Sequence, residues 1–230
     1  MDSTLQLSTG PKTAYVAEPA SRSTRAVVVL HELLGLNDDI RRITDRFAAA
    51  GYRAVAPDLY EDLGARPFCM ARAMSAMTRG GGPVVPVVEA VAEHLRSEGA
   101  TQVGVAGFCM GGGFALLAAG RGRFDVAAPF YGLVPGREAL VSICPTVASF
   151  GGRDRMFRGG AERLRRRLSD AHVPHDVKLY PDAGHSFMSE HPEWMRPLGG
   201  LPPLRAAHHH ESAEDAWDRM LRFFDEHLKG

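Results

Sequence analysis

The stretch Val103–Gly113, VGVAGFCMGGG, decides how this chain is read. An apolar strand, Val103–Ala106, runs into Gly107-Phe108-Cys109-Met110-Gly111, and a helix over Met110–Ala119 follows. The pentapeptide is G-x-S-x-G with cysteine in the place of serine. A turn that swings a strand straight into a helix strains its central residue. It also brings the two elements so close that side chains at the flanking positions clash, which is the physical reason for both glycines. The sulfur is thereby lifted clear of the sheet and set at a helix N-terminus, where the dipole favours a thiolate. Two other readings fit a strand, glycines and a helix. A buried cysteine can serve only as a small hydrophobe. A phosphate-binding turn is the other, but no G-x-G-x-x-G register fits residues 104–116 and no Gly-Lys-Ser/Thr follows, so no nucleotide site is expected.

Outward from this stretch the chain alternates strand and helix, the pattern of a mostly parallel sheet covered on both faces. Ala26–Leu30 (AVVVL) is a β-branched apolar run suited to a central strand. Helix Asp38–Ala50, ended by Gly51, and strand Tyr52–Ala56 follow it. Beyond the central stretch come strands Val126–Tyr131 and Thr146–Gly151, helix Ala161–Ala171, strand Asp176–Tyr180 and an amphipathic helix Ser212–Leu228. Residues 62–86 interrupt the rhythm with an Ala/Met-rich stretch and Gly80-Gly81-Gly82-Pro83, before helix Val87–Ser97. They read as a small lid or as a plain surface connection. One domain over 1–230 is expected.

In a fold of this kind a nucleophile is followed along the chain by an acid and then a histidine, each on a loop after a later strand. Asp154, in FGGRD, follows the strand Thr146–Gly151. His185, in YPDAGHSF, follows Asp176–Tyr180. Both fall at carboxyl ends of strands, where parallel sheets place their sites. Asp182 competes for the acid role, but its Pro-Asp-Ala-Gly setting reads as a turn. His175, His191 and His208–His210 lie in polar context and read as solvated loop residues. His31-Glu32 opens like a zinc H-E-x-x-H, yet Gly35 stands where the second histidine belongs, so no metal site is expected. An oxyanion hole needs two backbone donors. Met110 N–H, after the nucleophile, is one, and Leu33 N–H, in the HELLGLN loop after the strand Ala26–Leu30, is the other.

Composition excludes several classes. A formal net charge of +0 gives no field to gather nucleic acid. No apolar run is long enough to span a membrane, and the first ten residues lack a signal pattern. Three cysteines, Cys69, Cys109 and Cys144, widely spaced, point to a reducing cytoplasm rather than a disulfide scaffold. A redox-sensing thiol would need Cys69 or Cys144 as its resolving partner.

Taken in order, HELLGLN, PDLY, GFCMGGG, GGRD and AGHSF, with the closing DAWDRMLRFFDEHL, resemble the dienelactone hydrolase family over nearly the whole chain. The resemblance implies an α/β-hydrolase fold with a Cys109–His185–Asp154 triad that hydrolyses an enol-lactone or similar small ester without a cofactor; a monomer or homodimer is expected. It also implies that Glu32 interacts with the resting thiol, acting as a base or holding it neutral until substrate binds. Members that act on dienelactone carry an arginine four residues after the histidine, and here that place holds Ser189. A hydroxyl does not replace a bidentate arginine, so Ser189, with Arg72 or Arg66 reaching in, is expected to face a less charged ester, lactone or thioester. The alternative from another class is a catalytically silent member that binds a small ligand in the same pocket.

Overall fold

Strands β1 (Asp2–Leu7), β2 (Gly10–Ala17), β3 (Arg25–Leu30), β4 (Arg53–Pro57), β5 (Gln102–Phe108), β6 (Val126–Phe130), β7 (Thr146–Gly151) and β8 (His175–Tyr180) join one sheet in the computed structural model. It describes residues 1–61, 66–190, 202–203 and 205–229. Strand order is β1-β2-β4-β3-β5-β6-β7-β8. The strands from β3 to β8 are parallel to one another, and β1 and β2 are antiparallel additions at one edge. Six consecutive carboxyl ends therefore open on the same side, and the loops that leave them share one surface.

Successive residues of a strand face opposite ways, and β3 shows what that does to the core. Val28 and Leu30 pack with helices α2 (Arg66–Thr78), α3 (Val84–Ser97), α4 (Met110–Ala119) and α5 (Gly160–Asp170). Val27 and Val29 pack on the other face with α1 (Asp38–Ala49) and α6 (His210–His227). There Phe47 sits 4.8 Å from Trp217 and 6.2 Å from Phe224, ring centre to ring centre. Asn37 caps α1 by accepting from Ile40 N–H at 3.0 Å, and Asp38 and Asp39 occupy its positive end. All ten residues of α4 are buried.

The N-terminal segment, read from sequence only as polar, is β1 and the start of β2. Leu5 is the one buried residue of β1, so an edge strand leaves no apolar run to detect. Helix α3 begins at Val84 rather than Val87, with Pro86 inside its first turn, where the missing N–H has no intrahelical acceptor to lose. Within the segment read as a lid, 62–65 lie outside the described residues. Helix α2 buries Cys69, Ala73 and Met77 and leaves Phe68, Met70 and Met74 exposed. Helix α6 starts at His210, and His209 accepts from Ser212 N–H at its N-terminus, so part of the histidine tract caps a helix.

The elbow dictates one stability prediction. A Cβ on Gly111 would overlap the Leu30 carbonyl and stand 2.7 Å from the His31 carbonyl, backbone against backbone. Gly111→Ala is therefore expected to lower unfolding free energy by roughly 3 kcal/mol or more, read by chemical denaturation.

Candidate active site

Cys109 occupies the turn between β5 and α4 with φ 52° and ψ −113°. A left-handed φ on a residue with a Cβ is strained, and such strain persists where packing on all sides enforces it. Here the enforcement is the contact of α4 with the sheet. A Cβ on Gly107 would overlap the Gly111 carbonyl, so the helix can approach only over glycine. Of five described non-glycine residues with positive φ, three cluster here: Cys109, Tyr131 just past β6, and Ser186 beside His185.

His185 Nε2 lies 2.9 Å from Cys109 Sγ, and His185 Nδ1 lies 2.6 Å from Asp154 Oδ2. Asp154 is itself held, because its Oδ1 accepts from the N–H groups of Met156 at 3.0 Å and Phe157 at 3.2 Å. The acid and histidine loops are tied by Gly152 N–H to the Tyr180 carbonyl (2.7 Å) and Arg153 N–H to the Ala183 carbonyl (2.9 Å). The imidazole is sandwiched, with Phe157 stacked at 5.1 Å and Tyr131 tilted at 5.1 Å. Burial by itself lowers the pKa of His185, but its hydrogen bonds to Asp154 and Cys109 outweigh burial and raise it to about 10. Asp182, the competitor for the acid role, is exposed and pairs with Arg153 at 2.9 Å.

Glu32 and Ser189 differ from what the resemblance implies. The Glu32 carboxylate accepts from Ser189 Oγ at 2.8 Å, and the thiol's hydrogen bond runs to His185 instead. Tyr131 Oη lies 3.3 Å from the same Ser189 oxygen. Ser189 is 1% exposed, so its hydroxyl serves Glu32 and Tyr131 rather than a substrate. A buried carboxylate needs donors, and in the absence of an arginine at this place the nearest hydroxyl supplies one. Burial first, then the charge of Glu32, push the Tyr131 phenol well above its ordinary range, so it remains a donor. Leu33 lies three residues past the end of β3, and Met110 is the first residue of α4. Arg72 is on the exposed part of α2. The Arg66 side chain and His191 lie outside the described residues. Of the other cysteines, Cys69 and Cys144 are buried, and burial pushes the Cys144 thiol up to about 12, unsuited to exchange chemistry.

Sequence reasoning does not single out Tyr131 or Phe157. Their signal was positional: each lies just past a strand of the parallel set, one beyond β6 and one in the loop after β7.

A sheet of this order, with Cys109 in the turn after β5, Asp154 after β7 and His185 after β8, has the α/β-hydrolase fold. The model of the dienelactone hydrolase family matches residues 13–228, and the chain belongs to that family. It is 30% identical to an Escherichia coli K12 protein provisionally named a carboxymethylenebutenolidase, the alignment covering 93% of this chain and 82% of that one. It is 27% identical to the carboxymethylenebutenolidase of Rhodococcus opacus, over 96% and 88% of the two chains. Among solved structures, a Klebsiella pneumoniae protein provisionally described as a dienelactone hydrolase superposes with a TM-score of 0.81 at 25% identity, covering 98% of each chain. Membership and likeness together make this chain a hydrolase of the ester and lactone type. No helix among the described residues is long and apolar enough to cross a membrane.

Two outcomes follow from the geometry. Because the sulfur is one of the groups raising it, the His185 pKa is expected to fall in Cys109→Ala, as followed by imidazole NMR titration; an unchanged value would mean the pair is not coupled. Ser189→Ala strips a donor from a buried carboxylate and is expected to cost about 1–3 kcal/mol in thermal or chemical denaturation.

Proposed function

We propose that the protein hydrolyses small esters or lactones through an acyl-enzyme on Cys109. The observation that carries this is the unbroken line from Cys109 Sγ to His185 at 2.9 Å and on to Asp154 at 2.6 Å, spanning three strand-end loops. His185 takes the thiol proton on Nε2 as the sulfur is activated, and Asp154 fixes the ring through Nδ1. The thiolate attacks the carbonyl carbon, and the carbonyl electrons move onto oxygen, where the N–H groups of Leu33 and Met110 receive the charge. Collapse breaks the bond to the leaving alkoxide, which takes the proton from His185. Water then attacks the thioester, His185 accepts one of its protons, and the thiolate is expelled as the carboxylic acid product leaves and gives its own proton to solvent.

Several features support a substrate without an anchoring carboxylate. Ser189 is committed to Glu32, Leu34 beside the proposed oxyanion donor is 43% exposed, and Phe157 covers one face of the catalytic imidazole. These surfaces suit an apolar or uncharged body on either side of the scissile bond. Glu32 serves, on this reading, as a fixed buried charge beneath the site and not as the base for the thiol. A silent binder would need none of this strain or charge alignment. A thiol nucleophile also suits a reducing compartment, and the cytoplasm is the simplest one.

Turnover of a panel of p-nitrophenyl esters and small lactones tests the proposal. Cys109→Ala is expected to lose roughly 10³-fold or more, and Asp154→Asn roughly 10²- to 10⁴-fold with little change in KM. Turnover that survives Cys109→Ala would contradict it.

A further inference from the structure

His31 and Tyr60 belong to the HELLGLN and PDLY motifs, and neither is used by the triad. His31 is fully buried at the end of β3. Its Nε2 receives the N–H of Leu59 at 3.0 Å, and a backbone N–H can only donate. Nε2 is therefore the bare nitrogen and Nδ1 carries the proton, which it gives to the Glu32 carbonyl at 2.7 Å. That carbonyl also accepts from Gly35 N–H at 3.1 Å. Tyr60, just past β4, donates its hydroxyl to the Leu33 carbonyl at 2.8 Å. The same hydroxyl lies 3.6 Å from the sulfur of Met110, and the Tyr60 ring meets His31 edge-on at 4.9 Å.

These contacts hold the two peptide units on either side of Leu33. In a planar trans peptide the N–H of Leu33 points opposite to the C=O of Glu32. Fixing the Glu32 carbonyl with two donors consequently fixes the direction of the Leu33 N–H. Fixing the Leu33 carbonyl from Tyr60 prevents the next peptide from rotating against it. The Leu33 N–H has no acceptor among the described residues. Met110 N–H is the first of α4, which a helix leaves without an intrahelical partner. Two open donors thus stand on segments that Tyr60 ties together through the Leu33 carbonyl and the Met110 sulfur, and the loop that carries the first would otherwise be free to turn.

We propose that His31 and Tyr60 are positioning residues that aim the Leu33 N–H, and so preorganise the oxyanion hole for acylation of Cys109. The proposal rests on the nucleophile reading above and extends it to groups that never touch substrate. It assigns the H-E pair a use without metal: the histidine grips the backbone carbonyl of the glutamate that follows it. It also gives the tyrosine of PDLY a role at a distance from the reacting atoms.

The test separates oxyanion chemistry from thiol chemistry. Acylation by a p-nitrophenyl ester passes through an oxyanion. Alkylation of Cys109 by iodoacetamide displaces iodide from a saturated carbon and makes none. In Tyr60→Phe, which deletes one hydroxyl and keeps the ring, single-turnover acylation is expected to slow roughly 10- to 100-fold. That is less than the 10²–10³ typical of losing an oxyanion donor outright. KM should be little changed, and the alkylation rate should stay within about twofold of wild type. His31→Leu should behave alike, and His31→Asn, which restores a donor near the Nδ1 position, should recover most of the loss. Unchanged acylation in Tyr60→Phe, or alkylation falling in parallel with acylation, would overturn the proposal. Failure of His31→Asn to improve on His31→Leu would remove the histidine from it. Turnover persisting in Cys109→Ala would instead take down the nucleophile reading, and this one with it.

Discussion

The close approach of helix α4 to the ends of β3 and β5 is the constraint on which the site depends. It is a contact of backbone with backbone, open only to glycine at 107 and 111. It forces Cys109 into a left-handed conformation and points the sulfur away from the sheet. It sets the first N–H of α4 beside that sulfur. It also presses α4 against Leu30 and His31, so that the loop carrying Leu33 begins beside α4. The Cys109 sulfur, the helix dipole and the first N–H of α4 are therefore fixed by a single packing event, and the energy that holds the strain comes from burying all of α4.

Around this point the sheet acts as a ruler. Six parallel strands end on one side, and each contributes a group: Glu32 and Leu33 after β3, Tyr60 after β4, Cys109 after β5, Tyr131 after β6, Asp154 after β7 and His185 after β8. At these strand ends lies a layer of buried polar side chains, His31, Glu32, Ser189 and Tyr131, whose hydrogen bonds run to one another or to backbone. In a low-dielectric setting such a layer is stable only when its members are paired. Once paired, it holds the loops above it still, as an electrostatically preorganised site requires.

Much of this was legible in the sequence, for identifiable reasons. The apolar runs at Ala26–Leu30 and Val103–Ala106 and the glycines flanking Cys109 carry strong local signals, because a buried parallel strand and a tight elbow tolerate few alternatives. The order of Cys109, Asp154 and His185 is topological, and topology survives in sequence spacing. What was not legible depends on three-dimensional partners. Whether Glu32 meets the thiol or Ser189 is decided by side-chain reach across 157 positions of chain, which no local pattern records. Ser189 is expected from sequence to face the substrate, and in the structure its buried hydroxyl donates to the Glu32 carboxylate. The edge strand β1 escaped notice because one buried leucine in six residues makes no pattern.

The claim at the centre of this account is that an acyl group rests on the sulfur of Cys109 during turnover. Rapid acid quench of the enzyme mixed with a slowly deacylating p-nitrophenyl ester, followed by peptide mass spectrometry, addresses it directly. The account predicts one added acyl mass per chain, located on the peptide containing Cys109 and released on alkaline treatment as expected of a thioester. A label on a serine or on His185, or steady turnover with no trapped adduct at any quench time, would contradict it.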